Sequence, residues 1–184
     1  MAVSLSLTDI LKLVRESKAT GREKVVGYLE AVKAEAEGAV SLWQANLANA
    51  EKELPNLNGR QSIQEVKAAF QFNSNVSYAA ALRSHYSNAS ASIKGRLPED
   101  LQERFIHHLA EFLLARDSIN KAYSEFWHQT QCALGVVQPE LDFSPKWFLT
   151  NKAEAALLRC EEDLDVMRAE LGELKAMIAQ YRSS

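Results

Sequence analysis

Residues 157–181 read LLRCEEDLDVMRAELGELKAMIAQY, and the apolar side chains in this stretch alternate by steps of three and four: Leu157, Cys160, Leu164, Met167, Leu171, Leu174, Ile178 and Tyr181. A repeat of about 3.5 residues keeps one narrow stripe turned toward a partner helix along its whole length, which is the condition for coiled-coil packing. Glu161, Glu162, Asp163, Asp165, Arg168, Glu170, Glu173, Lys175 and Arg182 surround the stripe and mark a solvated outer face. Such a helix needs other helices to lie against, so the rest of the chain has to supply them.

Working back toward the N-terminus, three more long helical patterns are present. From about Arg22 to Leu54, the residues Val25, Leu29, Val32, Ala36, Ala39, Trp43, Leu47, Ala50 and Leu54 trace one stripe, which Pro55 and Gly59 end. Trp43 is the one large residue in an alanine-rich seam and is expected to fill the interior opposite small residues. The second pattern, about 62–94, opens with the capping box Ser62 to Glu65. It carries two faces, one of Ile63, Val66, Phe70, Ser77, Ala80, Ser84, Ser87 and Ala91, the other of Ala69, Phe72, Val76, Ala79, Leu82, Tyr86 and Ile93. Two such faces imply contacts on two sides: either the helix is wedged between its neighbours in the chain, or one face is left for a partner. The third pattern, about 98–135, starts with Pro98 as first helical residue and acidic Glu99 and Asp100 at the positive end of the helix dipole. Its stripe is Leu101, Phe105, His108, Phe112, Ala115, Ile119, Ala122, Phe126, Gln129 and Ala133, and Gly135 is a natural end.

The connection that follows is apolar for a loop, with Val136, Val137, Leu141, Phe143, Trp147, Phe148 and Leu149, and it leads into a last helix over about 145–182, begun at Ser144-Pro145 or restarted at Thr150. A greasy surface segment either caps the bundle end or reaches for a partner. Before all of these, Leu7, Ile10, Leu11 and Val14 give a short amphipathic helix over about 7–17. Its polar face holds only Lys12, Arg15 and Lys18, which favours a lid over a membrane anchor.

Chain length and balance narrow the possibilities. A single domain over 1–184 fits 184 residues with 47% apolar and 24% charged side chains. A net charge of -3 without a Lys/Arg cluster argues against nucleic acid. No basic, apolar leader opens the chain and no run of apolar residues has membrane length, so a cytoplasmic protein without a transmembrane segment is expected. Cys132 and Cys160 stand roughly 10 to 18 Å apart along antiparallel helices at 1.5 Å per residue, too far for a disulfide. Both are read as reduced thiols.

Signatures of chemistry are sparse. Glu125 and His128 form one Glu-x-x-His, whereas a di-metal carboxylate site takes two such pairs and two further Glu residues. His108 falls on the seam and reads as a hydrogen-bonded core residue. Cys132 and His128, one turn apart, are the one Cys/His nucleophile pairing, without an evident oxyanion hole. No phosphate loop, zinc spacing or nucleophile elbow occurs, and no cofactor or metal is expected.

The Ala/Ser-rich second helix, with Tyr78, Tyr86 and the upstream Ser62-Ile63-Gln64-Glu65, resembles the phasins, helical proteins that coat polyester granules. That resemblance implies a peripheral lipid or granule surface as an alternative partner.

The expected architecture is all-α: an antiparallel up-down four-helix bundle of long coiled-coil-like helices, roughly 50 Å long, preceded by a short amphipathic helix. The expected function is non-enzymatic protein–protein interaction as scaffold, adaptor or inhibitor, with another protein or a second copy as partner. Candidate partner-binding residues are Phe143, Trp147, Phe148, Phe72, Val76 and Tyr86. After the phasin-like surface protein, the further alternatives are a helical toxin or effector and a di-metal carboxylate enzyme.

Overall fold

The structure, a computed structural model, describes residues 21–55, 82–88, 93, 97–133 and 146–183, with the helical path but not the side chains of 146–149. The described residues are helical almost throughout and contain no strand. Three long helices are α1 (Gly21–Glu53), α2 (Glu99–Ala133) and α3 (Lys146–Ser183). A helical stretch also covers 82–88. The fold is therefore all-α, as the sequence periodicity demands. The amphipathic segment at 7–17 lies outside the described residues.

The helix ends follow local chemistry. Leu54 and Pro55 close α1 with a tighter 3-10 turn, because proline has no N–H to continue the ladder. At the start of α2 the Pro98 carbonyl accepts the Gln102 N–H at 2.9 Å, so Pro98 is the cap and Glu99 the first helical residue. This corrects the expected start by one position. α3 begins at Lys146 and runs on through Thr150, without a restart there.

The chain's contacts gather into two compact units, one of Met1–Ala39, Asn75–Leu113 and Arg168–Ser184, the other of Val40–Ser74 and Leu114–Met167. In the first, Tyr28 is a packing centre: its hydroxyl donates to the His85 carbonyl at 2.8 Å, its ring meets His85 edge-on at 5.4 Å, and Phe105 tilts against it at 6.2 Å. Leu29, Leu82, Ile93, Leu109, Phe112 and Leu174 fill the same interior. Arg22 donates to the Tyr181 and Arg182 carbonyls at 3.0 and 3.3 Å, with its guanidinium carbon 5.6 Å from the Tyr181 ring centroid. Last-turn carbonyls have no intrahelical donors, so a cation there both caps and complements the dipole of α3. Glu30 pairs with Lys33 and Arg182, and Glu37 with Lys175 at 2.8 Å, along a groove of about 650 Å³.

In the second unit Trp43 meets Tyr123 edge-on at 5.4 Å, and Tyr123 leans on Phe126 at 5.3 Å. Trp43 therefore has an aromatic partner and is not simply opposed by small residues. Cys160, fully buried, donates its thiol to the Ile119 carbonyl at 3.8 Å. Arg159 and Glu125 pair at 2.7 Å where α3 and α2 meet.

The stripes read from the sequence on α1 and α3 are their buried faces. All eight seam residues of α3 and all nine of α1 are buried. On α2, His108 and Gln129 are only half-buried, and the Nδ1 of His108 lies 2.7 Å from Glu170 Oε2. In the second helical stretch Ser84, Ser87 and Tyr86 are exposed while Leu82, His85 and Ile93 are buried. Its serine face, at these positions, is a solvent face.

Gly172 offers a direct check on α3. It is exposed in mid-helix, and a Cβ added to it would meet nothing within 4 Å. Glycine costs a helix interior up to about 1 kcal/mol relative to alanine. Gly172→Ala is expected to stabilise by about that amount and to raise the melting temperature by about 3 °C in a calorimetric scan. A lowered melting temperature would mean that the outer face of α3 is more closely packed than described.

Candidate functional site

The helices satisfy their seams and still leave large apolar side chains in solvent: Leu114 is 62% exposed, Leu158 58%, Val166 45% and Tyr86 42%. Leu114, Leu158 and Val166 belong to the second unit. On α3, Leu158 and Val166 stand two turns apart, and Glu162 lies between them, each four-residue step turning about 40° around the axis. The buried stripe of Cys160, Leu164 and Met167 occupies the opposite side of the helix. An apolar strip facing away from a filled seam has no role in holding the seam together.

At about 100° per residue Glu162 lies within this strip and Asp165 beside it, while Glu154, Glu161 and Asp163 fall farther round the helix. From Glu154 to Asp165 the sequence places five carboxylates, Glu154, Glu161, Glu162, Asp163 and Asp165, against the single cation Arg159, which Glu125 engages. The Glu161 carboxyl is pushed up to about 7, first by a hydrogen bond with Glu51, then by burial and by the charges of Glu51 and Asp165. A carboxyl raised above its ordinary 4.5 favours the folded state most at low pH, and that contribution is lost as pH rises from 4.5 through about 7. Glu161→Gln retains an amide for Glu51 to hydrogen-bond at every pH. Thermal melts from pH 4.5 to 8 are therefore expected to fall less for Glu161→Gln than for the parent, with the variant the more stable at pH 8. Parallel curves would mean that the two carboxyls do not share a proton.

The residues singled out for chemistry are dispersed. Cys132 Sγ and His128 Nε2 approach to 3.7 Å, but burial raises the Cys132 thiol's pKa and the opposing influence of Lys152 is smaller, so the group stays a thiol. Cys160 is pushed up to about 12, chiefly by burial. Neither cysteine is in a disulfide. Glu125 and His128 are exposed, and Glu125 serves the ion pair with Arg159. Among the described residues no group of three or more His, Cys, Asp or Glu side chains is placed to hold a metal ion, and no helix is long and apolar enough to cross a membrane.

Of the residues expected to bind a partner, Tyr86 is exposed. Trp147 and Phe148 lie in the first turn of α3, where side chains are not described. Phe72, Val76 and Phe143 lie outside the described residues, as does most of the stretch that resembles the phasins. Sequence reading missed Leu114, Leu158 and Val166. The available signal was an apolar residue off the stripe in each case, such as the second leucine of Leu157-Leu158.

Comparison with protein-family models, curated proteins and solved structures gives no match.

Proposed function

We propose that the chain is an antiparallel up-down four-helix bundle that acts as a non-enzymatic interaction module, a scaffold, adaptor or inhibitor of another protein. Within the first unit, partner numbers fall along α3 as they rise along α1, from Arg22 with Tyr181 to Glu37 with Lys175, which supports opposed directions for that pair. Within the second unit Ile119 meets Cys160 and Glu125 meets Arg159, which supports the same for α2 and α3. The fourth member of such a bundle is the helix that contains His85.

The observation that carries the interaction reading is the exposure of Leu158 and Val166 on the outer side of α3, behind a seam that is already full. Water-exposed branched side chains cost solvation free energy that a partner recovers by covering them, about 25 cal/mol per Å² of apolar area. Native mass spectrometry of the protein isolated gently from its own cells tests the reading. A stoichiometric complex with a second polypeptide, lost in Leu158→Asp/Val166→Asp, is the expected result. A bare monomer for both parent and variant would count against an interaction role.

A further inference from the structure

We draw no further inference here: the strongest candidate, the exposed apolar strip of Leu158 and Val166 on the outer side of α3 with Leu114 of α2 in the same unit, carries none because nothing in the structure shows what covers it.

Discussion

Phe112→Ala is expected to destabilise the protein by about 3 to 5 kcal/mol, whereas Leu114→Ala, two residues along the same helix, is expected to change stability by less than about 0.5 kcal/mol. Phe112 is fully buried and Leu114 is the most exposed of the large hydrophobic residues among those described. Removing the phenyl ring forfeits its transfer free energy and leaves a cavity that rigid neighbouring helices close only in part. Leu164→Ala and Leu171→Ala, on the seam of α3, should each cost about 2 to 5 kcal/mol for the same reason. Urea denaturation of the four variants checks the ordering. A loss below about 0.5 kcal/mol at Leu164 or Leu171 would mean that the α3 stripe is not core. A cost at Leu114 comparable to that at Phe112 would mean that Leu114 is covered in solution.

Acid is expected to unfold the protein partly through His85. The side chain is 2% exposed, its ring stands edge-on against Tyr28, and its Nε2 has no hydrogen-bond partner among the described residues. Burial pushes its pKa from the usual 6.5 down to about 4, because a charged imidazolium has nothing to solvate it. A depressed pKa contributes stability that is fully present above pH 6.5 and is lost as pH falls through about 4. At 1.36 kcal/mol per unit the shift amounts to at most about 3 kcal/mol, and about 2 kcal/mol once solvent screening is allowed for. His85→Leu keeps the Tyr28 hydrogen bond, which goes to the backbone carbonyl, and has no proton to take up. The gap between parent and variant in urea midpoints should therefore shift in favour of the variant between pH 7 and pH 4. A constant gap across that range would show that the imidazole is hydrated or paired in the folded state.

The candidate site was less legible than the fold. Tyr86, read as part of an apolar face, is exposed, but it belongs to the first unit and the Leu158–Val166 strip to the second. Apolar residues off the stripe are common on helices, and a sequence pattern does not distinguish one covered by a neighbouring helix from one left in water. Leu113 and Leu114 make the point: adjacent in sequence, the first is buried and the second lies in solvent. The Glu51–Glu161 contact is also invisible in sequence, because it joins acids from two helices whose relative rotation is set by packing.

Apolar spacing alone was enough to read the described residues as helical and to pick the face of α1 and α3 that turns inward. These are properties of one helix at a time: the spacing of apolar residues, proline and glycine at the ends, and acids at the first turn of α2 act through the local backbone. Only the tertiary structure decided that Tyr28 packs against both His85 and Phe105, that Trp43 meets Tyr123, that Arg22 caps the last turn of α3, and that Leu158 and Val166 remain outside. Each of those depends on the register between helices, which is set by side-chain interlocking across an interface and leaves no periodic trace within a single segment.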